Sequence, residues 1–250
     1  MRIVCLVPSW TETLIECGVN VVGRTRYCVH PADRVASLPV VGGTKDVQWN
    51  KVAALAPDMV IFDKEENTRE MADSCPFPYL ATDVKSVHDM PQTLTLLSQR
   101  LDSDALQELG VRYQAVLTEK KPCSPGVLPL LSGDCASSTS VLHDQRPWLY
   151  LIWRRPFMSV GRDTFIHSIF EHLGFAGKLL TFDDRYPTLE TQWIREQNPV
   201  LLCSSEPYPF AGKLEQTREE LKLDAVLIDG EPLCWYGIRS LRYLELIPER

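Results

Sequence analysis

Residues 2–12 read Arg-Ile-Val-Cys-Leu-Val-Pro-Ser-Trp-Thr-Glu, an apolar run that meets a proline and then a polar turn. A short, continuously apolar run of this kind predicts a buried strand over 2–7, and Pro8 ends it. Ser9 and Glu12 stand three apart, the spacing of a capping box with Ser9 at N-cap and Glu12 at N3. A helix therefore follows, and Gly18 closes it. Strand, turn and helix make the first part of a β-α-β unit, and a chain that repeats them builds parallel sheets.

Working outward, Val21-Val22 opens a second short strand that ends near Gly23, and the Pro- and Gly-rich stretch from His30 to Thr44 reads as a loop. Asn50 to Leu55 reads as helix, Pro57-Asp58 ends it, and Met59-Val60-Ile61-Phe62 reads as a buried strand. The second half echoes this order. Gly161-Arg162-Asp163-Thr164 opens a helix with Asp163 as its cap, its apolar face is Phe165, Ile166, Ile169 and Phe170, and Gly174 closes it. Trp193-Ile194 lie in a helix, Pro199 stops it, and Val200 to Cys203 forms a strand. Asn50 and Gln192 each stand seven residues before their proline. The echo predicts two related lobes. Between them, Asp102 or Ser103 caps a helix with Leu106, Leu109, Tyr113 and Val116 on one stripe, ended by Pro122 and Pro125. That helix reads equally well as one more crossover or as a strut between lobes.

Composition narrows the function. Of 250 residues, 44% are hydrophobic and 24% charged, values that predict a globular protein rather than a disordered one. The net charge of -7 argues against a nucleic-acid partner, whose affinity rests on clustered Lys and Arg, and Lys120-Lys121 and Arg154-Arg155 are only pairs. No run of about 18 apolar residues occurs, so membrane insertion is not expected. The apolar run after Met1 is too short for a secretory signal. Eight cysteines, at 5, 17, 28, 75, 123, 135, 203 and 234, are scattered without a C-x-x-C pair. They read as reduced thiols, and the chain as a soluble cytoplasmic protein.

Ligand contacts are sought in the loops that follow strands, where helix N-termini offer free N–H groups. Trp10 has no capping role and reads as core or as ligand platform. Arg162 is placed to face an anionic group, and Glu206 lies in Ser204-Ser205-Glu206 directly after a strand, with Asp229-Gly230-Glu231 after Ala225 to Ile228. Tyr27, His30, Tyr186, Trp235, Tyr236 and Arg239 fall in predicted loops, and aromatics gathered there suit a broad flat ligand. Catalytic motifs are thin: there is no G-x-S-x-G, no P-loop and no G-x-G-x-x-G. His167 and His172 are five apart and do not share a helix face, so His167 reads as a surface residue. Cys28, with His30 nearby, is the local candidate for a reactive thiol.

The segments Arg2 to Glu12, Val22-Gly23, Tyr27, His30-Pro31, Val41-Gly42-Gly43-Thr44 and Val52 to Ile61 together resemble the helical-backbone substrate-binding proteins, which deliver cobalamin and ferric siderophores to ABC importers. Phe157 to Ile166, Arg185-Tyr186-Pro187 and the strand after Pro199 extend the resemblance over nearly the whole chain. It implies an α/β fold of two Rossmann-like lobes with parallel sheets, 1–101 and 123–250, joined by one long backbone helix over 102–122, with a ligand cleft between them. By position, Tyr27 and Tyr186 correspond to cleft aromatics of the cobalamin binder, and Thr44 replaces a third. Arg162, Trp235 and Arg239 correspond to residue types that siderophore binders use. The implied function is non-enzymatic binding of a small ligand, a corrinoid or a ferric chelate, with no cofactor required. Asn50 and Gln192 stand where the resemblance implies glutamates that dock onto a permease, so the charges for that docking are missing. Two other readings remain open: an exported importer component, and a cleft enzyme using Cys28, His30 or Glu206. Binding of a bare metal is not expected, because the related metal binders draw several His and carboxylates from both lobes, and here the first half offers only His30 in a loop.

Overall fold

The computed structural model describes residues 1–118, 123–131 and 140–247, so Lys120-Lys121, Pro122, Cys135 and the last part of the expected 102–122 helix lie outside the described residues. The chain divides into two compact units.

The first unit holds Met1–Thr118 and Trp235–Glu245. Its sheet runs β3-β2-β1-β4-β5, with β1 at Ile3–Cys5, β2 at Val21–Thr25, β3 at Val40–Gly42, β4 at Met59–Asp63 and β5 at Tyr79–Thr82, each neighbour pair parallel. β1 is central and wholly buried, which is why its sequence is continuously apolar rather than alternating. Helix α1, Pro8–Glu16, corrects the capping box: the N-cap is Val7, no side chain caps it, and Ser9 and Glu12 are buried inside the helix. The reason is Pro8, whose fixed φ and missing N–H suit the first helical position.

The His30–Thr44 loop is corrected too. It contains α2, Ala32–Val35, and the edge strand β3, too short to show alternation between Pro39 and Gly42. Gly42 takes φ 149, and a Cβ there would meet the Asp46 carbonyl oxygen at 2.2 Å, so only glycine turns the chain here. Helices α3 (Trp49–Ala54), α4 (Arg69–Asp73), α5 (Met90–Leu101) and α6 (Asp104–Thr118) complete the run. Val4, Leu6, Val41, Val52, Val60, Phe62 and Met71 form one core of this unit.

The boundaries differ from 1–101 and 123–250 for a physical reason. Helix α6 packs on α5, and its buried Tyr113 hydroxyl donates to the Gly237 carbonyl at 2.7 Å and lies 2.6 Å from the Ser240 hydroxyl, which ties the C-terminal segment back to the first unit.

The second unit carries a sheet in the order β10-β9-β6-β7-β8. β6 (Trp148–Arg154), β9 (Val200–Ser204) and β10 (Ala225–Ile228) are parallel as expected. β7 (Phe157–Ser159) and β8 (Thr188–Leu189) are antiparallel, so this sheet is mixed; Arg155-Pro156 makes a hairpin that a parallel reading overlooks. Helix α7, Phe165–His172, is capped by Thr164, whose hydroxyl accepts from the His167 N–H, and not by Asp163. His167 is 4% exposed and so is no surface residue. A short helix, α8 at Thr191–Gln197, precedes β9, and α9 (Leu214–Leu221) follows it. Helix α10 (Glu231–Cys234) packs against α7, a long-range cover that residue spacing cannot reveal. Cys5, Cys17, Cys28, Cys75 and Cys203 are free thiols. No helix of the described residues is long and apolar enough to cross a membrane.

Candidate ligand-binding residues

In the first sheet the strand order reverses between β1 and β4, and open α/β sheets bind ligands outside the carboxyl ends at such a point. The loop leaving β4 there is Asp63-Lys64-Glu65-Glu66-Asn67. Asp63 is fully buried, and its carboxylate accepts from the Thr82 hydroxyl at 2.6 Å, the Glu65 N–H at 2.9 Å and the Val84 N–H at 3.4 Å. Asn67 accepts from the Asp63 N–H at 2.9 Å and donates to the carbonyls of Thr44 at 2.9 Å and Leu6 at 3.2 Å. One amide thereby knits together the loops that follow β1, β3 and β4. Each buried polar atom has its partner, which makes the arrangement rigid.

Glu66 sits in this frame. Burial, against the opposing Lys45 charge and with the Asp63 and Glu65 charges, pushes its carboxyl up to about 7. Lys45 Nζ itself donates to the Glu65 carbonyl at 2.8 Å. A perturbed carboxyl at a strand end is the kind of group that functional sites collect.

Among the expected site residues, Trp10, Thr44 and Tyr236 gather at this loop. Trp10 is fully buried, its indole N–H donates to Thr82 at 2.8 Å, and its ring lies 5.0 Å from that of Tyr236. Tyr236 is 5% exposed, and burial followed by the charges of Asp63 and Glu66 holds its phenol well above the ordinary range. Thr44 contributes its backbone carbonyl. A second group comprises His30, Trp235 and Arg239. The His30 and Trp235 rings meet edge-on at 5.3 Å, the Arg239 guanidinium lies 5.3 Å from the Trp235 ring, and Arg239 grips the buried Glu12 carboxylate through two bonds of 2.8 and 2.7 Å. Tyr27 stands apart, 52% exposed under the Arg26 guanidinium.

Cys28 lies in a setting that disfavours a thiolate. It is buried, receives a hydrogen bond from the Thr11 hydroxyl at 3.0 Å, and burial raises its thiol, so the reactive thiolate is disfavoured.

In the second unit Arg162 is exposed and donates to the Thr181 hydroxyl at 3.3 Å, and Tyr186 lies under the Arg185 guanidinium. Glu206 is half-buried in the loop after β9, where the Tyr150 hydroxyl donates to Ser204 at 2.9 Å and the Ser204 hydroxyl donates to the Glu206 carbonyl. Among the described residues no group of three or more His, Cys, Asp and Glu is placed to hold a metal ion.

Residue reading missed Lys45, Asp63, Glu66 and Asn67. A signal existed: a charged run follows a buried strand without a break, as Ser204-Ser205-Glu206 does. Asn50 and Gln192, by contrast, are exposed on short helices, Gln192 donating along its own helix to Glu196 at 2.8 Å.

Residues 3–108 match the family described as periplasmic binding protein. The fold is that of the periplasmic binding proteins. The periplasmic vitamin B12 binding protein BtuF of Vibrio cholerae superposes with a TM-score of 0.70 at 16% identity, covering 98% of this chain and 94% of that one. The periplasmic heme-binding protein RhuT of Roseiflexus sp. RS-1 gives 0.70 at 19% identity over 97% and 94% of the two chains. A periplasmic heme binding protein from Pseudomonas aeruginosa gives 0.73 at 16% identity over 97% and 89%. No curated protein sequence matches the chain.

Proposed function

We propose that the chain is a non-enzymatic binding protein for a small, flat, metal-bearing ligand, a corrinoid or a ferric chelate such as heme. What carries the reading is the likeness over 97–98% of the chain to binding proteins for vitamin B12 and heme. Candidate contacts in the first unit are Tyr27, His30 and Thr44 in loops, Trp10 on α1, and Trp235, Tyr236 and Arg239 at the C-terminal segment, joined by Lys45 and Glu66; in the second unit they are Arg162, Tyr186 and Glu206. The raised phenol, thiol and carboxyl groups belong to packed or hydrogen-bonded side chains, and among the described residues no base is poised on them, which supports binding over turnover.

The test is titration of the purified chain with cyanocobalamin, hemin and ferric chelates, followed by visible absorbance. Sub-micromolar binding of one of them is expected. Affinities no tighter than about 1 mM for the whole panel, roughly −4 kcal/mol, would sink the reading.

The neutral Asn50 and Gln192 support a partner other than an importer permease, and the free thiols of Cys5, Cys17, Cys28, Cys75 and Cys203 support a reducing compartment. The chain then works as a cytosolic carrier or sensor. Cell fractionation decides it: recovery in the periplasm would overturn this placement.

A further inference from the structure

One aromatic pair in the second unit has no role in the contacts assigned above. Trp153 sits near the end of β6 and is 40% exposed, unusual for an indole on a central strand. It is nevertheless held. Its N–H donates to the Arg155 carbonyl at 3.3 Å, and its ring meets that of Tyr208 edge-on at 5.3 Å. Tyr208 in turn contacts Phe210 at 4.8 Å, and Phe210 is fully buried in the core with Leu149, Leu201 and Leu221. The exposed ring is thus the outer end of an aromatic file rooted in the core.

Position adds a second constraint. β6 pairs with β9 as far as Leu151–Cys203, so Trp153 lies past that parallel pairing, in the part of β6 that pairs only with β7 through Met158, towards the carboxyl end of β6, and Tyr208 follows the end of β9. Carboxyl ends of parallel strands are where α/β sheets meet their ligands. A rigid, amphipathic ring that keeps two-fifths of its surface in water, with its polar atom already satisfied, offers stacking area at little further entropic cost.

We propose that Trp153 and Tyr208 form a stacking platform for the face of a flat conjugated ring, and so set ligand class for the second unit. The proposal rests on the ligand-binding reading above. A flat macrocycle is its occupant because the platform supplies ring surface and an anchored edge but no charge of its own.

The probes are hemin and metal-free protoporphyrin IX, the second removing any contribution from metal ligation. Absorbance titrations compare the intact chain with Trp153→Ala, Trp153→Phe and Tyr208→Ala, each checked for an unchanged thermal midpoint. Removing Trp153 is expected to weaken both probes roughly three- to tenfold, and Phe to restore most of the loss. An intact chain that binds while Trp153→Ala binds equally well overturns the platform alone. A chain that binds neither probe nor cyanocobalamin overturns the ligand-binding reading and the platform with it. Should Trp153→Ala lower the thermal midpoint, Trp153→Phe decides: full stability with lost affinity is against stacking, and retained affinity supports it.

Discussion

Glu66 shows how one residue ties the site to pH. Its folded-state value of about 7 lies above the ordinary 4.5, because burial and the neighbouring carboxylates of Asp63 and Glu65 disfavour the charge. Below 4.5 both folded and unfolded chains hold the proton. Between 4.5 and about 7 only the folded chain holds it, so stability falls as pH rises through that window and levels off above it. Glu66→Gln is expected to flatten this slope and to gain on the order of 1 kcal/mol at pH 8, nothing at pH 4, in urea denaturation at the two pH values. An unchanged slope would show that Glu66 ionises freely. Cys28 makes the complementary prediction. With its thiol raised and enclosed by Thr11 and Thr25, it should resist iodoacetamide at pH 8 in the native chain and label fully in urea, as read by peptide mass spectrometry.

At the scale of elements, helix α11, Ile238–Glu245, is held on the first unit by ion pairs with α1 and α6: Arg239 with Glu12, Arg242 with Glu16, and Arg112 with Glu245. They are not equal. The Glu12 side chain is 6% exposed and Arg239 22%, while the other two pairs lie nearer the surface. Breaking a buried pair leaves a stranded charge and costs about 3–5 kcal/mol, whereas a surface pair is worth roughly 0–1. Glu12→Gln should therefore lower the urea midpoint far more than Glu16→Gln, and equal effects would refute the ranking. The same pair explains why the capping reading of Glu12 failed. Glu12 has the spacing of a capping residue, but its partner lies 227 residues away, and Pro8 had already started the helix. β3 escaped for a different reason: three residues beside a proline leave no period to detect.

Across the whole molecule, the first unit is discontinuous in sequence, completed only by Trp235–Glu245. Gly237 makes the junction possible. Its φ is +94, and a Cβ would meet the Thr13 hydroxyl at 2.1 Å, so the backbone lies directly on α1. Ending the chain at Cys234 would uncover the buried rings of Trp10 and Tyr113 and leave Glu12 unpaired. That truncation is expected to abolish folding of the first unit, seen as loss of dispersed methyl resonances from Val4, Leu6 and Val60, although these residues lie more than 170 positions away. A truncated chain with the same resonances would show that the segment is dispensable.

The α/β class, the buried strands after Met1 and before Asp63, the helices after Pro8 and Thr164 and the repeat of this order were all legible in residue types, because each is set by neighbours within one element. Apolar runs, prolines and glycines act locally. The Asn67 clamp, the Glu12–Arg239 pair, the antiparallel hairpin at Arg155-Pro156 and the burial of His167 were not. Each depends on which elements pack together, and desolvation, which raises Glu66 and silences Cys28, exists only once distant segments have excluded water.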